Sequence, residues 1–72
     1  MGITLKVIKE YQMCGNTIKP GTIIIEIGSE GAEVPTCRFI DGDGTIYNFD
    51  PSEMLFSKEF KDSFRVLHQP TN

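Results

Sequence analysis

Asp41, Asp43 and Asp50, with Gly42 and Gly44 set among them, come nearest of all residues to a reactive or metal-binding pattern. Carboxylates spaced by glycines suit calcium, because hard cations take oxygen ligands. A helix-flanked calcium loop beginning at Asp41 needs glycine where Ile46 stands and glutamate where Ser52 stands. Both positions fail. The Asp-Gly repeat reads instead as hairpin chemistry, in which glycine supplies an unusual φ and aspartate tolerates it.

The cysteines and the histidine come next. Cys14 stands beside Gly15 in a connecting stretch, Cys37 stands in a predicted strand, and His68 is the single histidine. A nucleophilic cysteine needs a base in reach. One histidine in so short a chain offers little pocket. The two thiols are far apart and match no zinc spacing. Two cysteines are too few for a disulfide framework, although a single Cys14–Cys37 bridge stays open. Glu26, Glu30, Glu33, Asp41 and Asp43 supply carboxylates without a pairing that sequence alone places as acid and base. The stretch 28–35, GSEGAEVP, lacks the Lys-Ser or Lys-Thr pair of a phosphate-cradling loop. The expectation is a non-catalytic chain with no cofactor and no metal.

The chain has 72 residues, is 39% hydrophobic and 24% charged, and carries a net charge of −3. That length makes one domain, residues 1–69, with residues 70–72 as a disordered tail. The charge does not favour a free-standing nucleic-acid binder, which needs a basic surface. The N-terminal stretch MGITLKVIKEY holds charges inside a short apolar run, so it lacks a secretory core. Lys6 stands where a myristoylation signal wants serine or threonine. No run reaches membrane-spanning length. A cytoplasmic location is the default.

The elements follow from periodicity. Residues 3–11, ITLKVIKEY, read as a first strand rich in β-branched residues, with Ile8 breaking the alternation. Residues 12–21 are a connection containing Gly15-Asn16 and a type II turn at Lys19-Pro20-Gly21. Residues 22–27, TIIIEI, form the clearest strand, with Ile23, Ile25 and Ile27 on one face and Thr22, Ile24 and Glu26 on the other. Ile24, flanked by polar neighbours, is either core or a sticky contact. Residues 28–35 form an acidic, mobile loop. Residues 36–40 and 45–49 form a hairpin across Asp41–Gly44, trimmed at most to a Gly42-Asp43 or Asp43-Gly44 turn. Phe39, Tyr47 and Phe49 are its core anchors.

Phe49-Asp50-Pro51-Ser52-Glu53 then reads as a helix start. Asp50 is the N-cap, Pro51 takes N1, and Glu53 completes a capping box. Phe49 and Met54 suit a hydrophobic staple. Met54, Leu55, Phe56 and Phe60 can share part of a helical face ending near Asp62; a single turn over 51–54 is the alternative. Residues 63–69, SFRVLHQ, are the last strand.

This layout resembles the SH3-like small β-barrels. The likeness is carried by Ile18-Lys19-Pro20-Gly21-Thr22, where a glycine turn opens the second strand, and by Phe49–Glu53, where a helical turn precedes the closing strand. The resemblance implies a mainly β fold: a small five-stranded barrel, or a strongly bent antiparallel sheet, with one short helix before the last strand. Peptide-binding members carry an aromatic groove. Here Tyr11 alone corresponds to their early tyrosine pair, and the chain has no tryptophan.

The function expected is a small protein-interaction or assembly module. Residues 3–9 or 22–27 would offer a strand edge to another protein or to a second copy. The candidate contacts are Ile8, Tyr11, Met13, Ile24 and Arg38. Two alternatives stand beside it. In one, Lys6, Lys9, Lys19 and Arg38 line a nucleic-acid face on which Tyr11 and Phe39 stack bases. In the other, Glu26, Glu30, Glu33, Asp41 and Asp43 make an acidic inhibitor of a nucleic-acid-binding protein.

Overall fold

The computed structural model describes residues 2–13, 15–27 and 37–69. Along them run β1 (Thr4–Val7), β2 (Tyr11–Met13), β3 (Asn16–Ile18), β4 (Ile23–Glu26), β5 (Cys37–Asp41), β6 (Ile46–Phe49), α1 (Pro51–Phe56), α2 (Lys58–Ser63) and β7 (Phe64–His68). The fold is mainly β. Five strands form one antiparallel sheet in the order β6-β5-β4-β1-β7, and β2 and β3 form a separate hairpin. Among the described residues no ladder joins β6 to β7, so the sheet is open and its edges are those two strands. β1 and β4, expected to offer edges, are interior strands.

The predicted first strand divides. Val7 is held in the sheet by its N–H to the Thr22 carbonyl (2.8 Å) and by the Gly21 N–H to its own carbonyl (2.7 Å). Beyond it, the N–H groups of Ile8 and Lys9 both turn to the Ser63 carbonyl, at 2.8 and 3.3 Å. The chain therefore leaves the sheet at Ile8, where the alternation breaks, and re-enters β structure at Tyr11. The expected connection 12–21 contains all of the β2–β3 hairpin except Tyr11; Met13 faces Asn16 and Gly15 takes φ +83°. The Lys19–Thr22 turn forms as expected: Thr22 N–H reaches the Lys19 carbonyl (3.2 Å), and Gly21 takes φ +95°.

Register sets the two faces. Leu5 pairs with Ile24, and Ile24, Phe39, Tyr47 and Phe49 all point to the core. Four residues, 42–45, separate β5 from β6, one position later than expected because β5 runs on to Asp41. Asp41 N–H reaches the Thr45 carbonyl (3.1 Å), and Gly44 N–H reaches the Asp41 carbonyl (3.2 Å). With Gly44 at φ +87°, this is a tight turn followed by a glycine bulge.

Two helices, not one, precede β7. Asp50 caps α1, its carboxylate accepting from the Ser52 N–H at 2.9 Å, and the capping box with Glu53 is complete. Ser57 ends α1, its N–H reaching the Glu53 carbonyl at 3.0 Å. The same residue starts α2, its Oγ accepting from the Phe60 N–H at 3.2 Å. The break turns Phe60 inward and leaves Leu55 and Phe56 exposed.

The core is Leu5, Val7, Tyr11, Ile18, Ile24, Phe39, Tyr47, Phe49, Phe60 and Phe64, with Met54 packed against it. Phe49 is its hub. Its ring centroid lies 5.1 Å from Phe60, 5.6 Å from Phe39 and 5.7 Å from Phe64, each edge to face. Such pairs add about 0.5–1.5 kcal/mol each beyond area burial.

The expected acidic loop 28–35, Cys14 with its open pairing to Cys37, and the tail 70–72 lie outside the described residues.

Candidate interaction surface

Because side chains alternate along a strand, the register that buries Ile24, Phe39 and Tyr47 sends their neighbours outward. Ile25 pairs with Ile40, and Ile40 pairs with Ile46, so one row of isoleucines crosses β4, β5 and β6 on the outer face. Ile23 lies along β4 in the same parity. Ile23, Ile25, Ile27 and Ile46 are 46–47% exposed. Between the Gly21 turn and the Asp41–Gly44 turn this face holds a shallow depression of about 440 Å³, walled by Ile23, Ile25 and Ile40 and rimmed by Asp43. On the β1 side the same face carries Lys6, opposite Ile23, and then Arg65, opposite Lys6. A second opening of about 290 Å³ lies where Leu5, Met54, Phe60 and Val66 meet under α2.

The predicted contacts do not assemble into this surface. Ile24 and Tyr11 are buried and so present nothing to a partner. Ile24 stands between polar neighbours on β4, but its face is the one that packs into the core with Leu5, Phe39 and Phe49. Met13 is half-buried and packs on the core. Ile8 is exposed, but it stands past the end of β1. Of the five, Arg38 alone lies beside the isoleucine row, with its Nε donating to Asn48 Oδ1 at 3.3 Å. The row itself was readable. Once Phe39, Tyr47 and Phe49 are placed inward, Ile40 and Ile46 must face out.

Burial of Tyr11 and Phe39 also removes them as base-stacking platforms. Lys6 and Arg38 stand on the sheet's outer face, whereas Lys9 and Lys19 lie beyond strand ends.

The chemistry-bearing groups are spent on structure. Asp41 Oδ1 accepts from the N–H groups of Asp43 and Thr45, both at 2.9 Å, and Asp41 Oδ2 accepts from the Tyr47 hydroxyl at 2.8 Å. The Tyr47 bond, with the backbone donors behind it, holds the Asp41 carboxyl below its usual range. Tyr47 is pushed up in turn, by burial first and by Asp41 second. Ser52, through its N–H and then its hydroxyl, lowers Asp50. Burial, then Glu26 and Asp50, push the Cys37 thiol up, away from the reactive thiolate.

Cys37 and His68 are separated by two intervening strands, which at the usual spacing is about 14 Å. They form no pair. Among the described residues, no three histidine, cysteine or acidic side chains stand close enough to hold a metal ion, and no helix is long and apolar enough to cross a membrane.

No family model, curated protein or solved structure matches the chain.

Proposed function

We propose that this chain is a small, non-catalytic, cytoplasmic protein-interaction or assembly module, built on an SH3-like plan, whose outer sheet face is the docking surface. One observation carries the reading: an isoleucine row crosses β4, β5 and β6 on the outer face, with Ile23, Ile25 and Ile46 exposed and Ile40 half-buried between them. An antiparallel sheet with one solvated face normally carries polar residues there. A contiguous apolar patch rimmed by charge marks a contact site. The SH3-like plan is supported by the order of elements, in which a glycine turn opens β4 and helical turns precede β7.

The test is a photo-reactive amino acid placed at Ile25 in the living cell, with the same group at exposed Glu59 on α2 as the control. Protein adducts at position 25 and not at position 59 are expected. Absence of any protein adduct at position 25 overturns the reading.

A further inference from the structure

We propose that the outer face is self-complementary and that its occupant is a second copy of this chain, seated face to face with the two-fold axis running along β4. The inference rests on the interaction-module reading above and names its partner.

β4 is the middle strand of the five, with β1 and β7 on one side and β5 and β6 on the other. At the Ile23 end of β4 the two flanks carry opposite charge. Lys6 stands across from Ile23, and Arg65 stands across from Lys6 one strand further out. On the opposite flank, Asp43 rims the depression that Ile23 and Ile25 wall. All three charged residues are exposed.

A half-turn about an axis lying along β4 turns the face over and exchanges its flanks, while the strand direction is kept. Ile23 and Ile25 then meet their own copies. Lys6 and Arg65 come over the second copy's Asp43, and by symmetry the contact is made twice. Neighbouring strands are about 4.8 Å apart, so long basic side chains span the residual offset. Sheets packed face to face keep their strands within about 30° of one another, which this axis allows.

The apolar component has the right character as well. The exposed isoleucines form a patch on the order of several hundred Å², the size at which an exposed apolar surface marks an interface. The charge placement also resolves a tension within one copy. Lys6 and Arg65 are direct cross-strand neighbours, and like charges so placed cost stability in an isolated sheet. A carboxylate arriving from the facing copy offsets that cost.

The test is sedimentation equilibrium on the full chain and on a charge-swapped pair, Lys6→Glu/Arg65→Glu and Asp43→Lys. Wild type is expected to form a reversible dimer. Each variant alone places like charges together at both contacts and should self-associate at least about tenfold more weakly. Mixed in equal amounts, the two variants place opposite charges together at both contacts and should recover a heterodimer. That recovery also shows that both are folded. A wild type that stays monomeric up to millimolar concentration overturns the proposal. So does a dimer indifferent to the charge swap. The photo-reactive group at position 25 separates the two failures: adducts to other proteins from a monomeric chain sink the second-copy proposal alone, and no protein adduct at all sinks the interaction reading with it.

Discussion

Tyr11 donates its phenolic hydrogen to Glu53, a carboxylate 42 residues further along the chain. The same glutamate closes the capping box of α1 by accepting the Asp50 N–H at 3.4 Å. One side chain thus ties the β2–β3 hairpin to the helical segment. Tyr11→Phe keeps the ring against Phe49, Phe60 and Phe64 and removes only the bond. A hydrogen bond to a charged group is worth about 1.5–3 kcal/mol, and the half-buried setting places the loss at the lower end. Urea unfolding of Tyr11→Phe beside wild type measures it.

The same tyrosine sets the alkaline limb. Burial, and then Glu53, push its hydroxyl above the ordinary tyrosine range. The unfolded chain therefore releases the proton first. Stability is fully present below about pH 10, the free tyrosine value, and falls as pH rises toward the folded value. Tyr11→Phe should flatten this fall above about pH 10, leaving the smaller part due to Tyr47. An alkaline limb equally steep in the variant would overturn the assignment.

The acid limb belongs to Asp41 and Asp50, whose carboxyls are both held low. Their contribution is present above the unfolded value of about 4 and is lost as pH falls through the lower folded values. Asp41→Asn and Asp50→Asn should each lessen the stability lost on going from pH 5 toward about pH 2. Thermal melts across that range read it directly.

Gly42 and Gly44 make a paired test of the hairpin. Gly44 holds φ +87°, whereas Gly42 is outside the positive-φ region, and a Cβ at either would meet open space. Gly44→Ala should cost about 1 kcal/mol or more from backbone strain alone. Gly42→Ala should be neutral or slightly stabilising, because it restricts the unfolded chain. Equal effects would mean that the bulge lies elsewhere.

Ile24 and Ile25 test which face of β4 is the core. Ile24→Ala should cost about 2–5 kcal/mol, most of what a domain of this size has to spend. Ile25→Thr should change monomer stability by about 0.5 kcal/mol or less. Chemical denaturation of the two single variants decides the parity.

That parity shows where the sequence was legible. The hairpin anchors Phe39, Tyr47 and Phe49, the Lys19–Thr22 turn and the Asp50 cap all rest on local rules, and all appear in the structure. The side of β4 that is buried was not local information. Three consecutive isoleucines leave both faces apolar, and only pairing with Leu5 on β1 decides between them. The helix break was hidden for a similar reason. Phe56 and Phe60 are spaced to share a face of a continuous helix, but the Ser57 hydroxyl starts a second helix in a different phase. A serine before Lys-Glu is a cap signal, yet it competed with an apolar pattern that ran through it. The outward side of β5 and β6 follows from those anchors, but the continuous row across β4 depends on three strands finding their register.

The pairing of β1 with β7 has a consequence in time. Thr4–Val7 sits in the interior of the sheet, yet one of its two neighbours, Phe64–His68, comes from the opposite end of the sequence. The entropy of closing so long a loop is lost before those contacts return any of it, and non-local pairing of this kind slows folding. The β5–β6 hairpin, by contrast, closes over four residues, and hairpins of this kind form within microseconds. The order of events should therefore run outward from that hairpin. Until Phe64–His68 arrives, β1 would be an open sheet edge, so the last step in assembling the sheet should also be the one that covers an edge prone to aggregation.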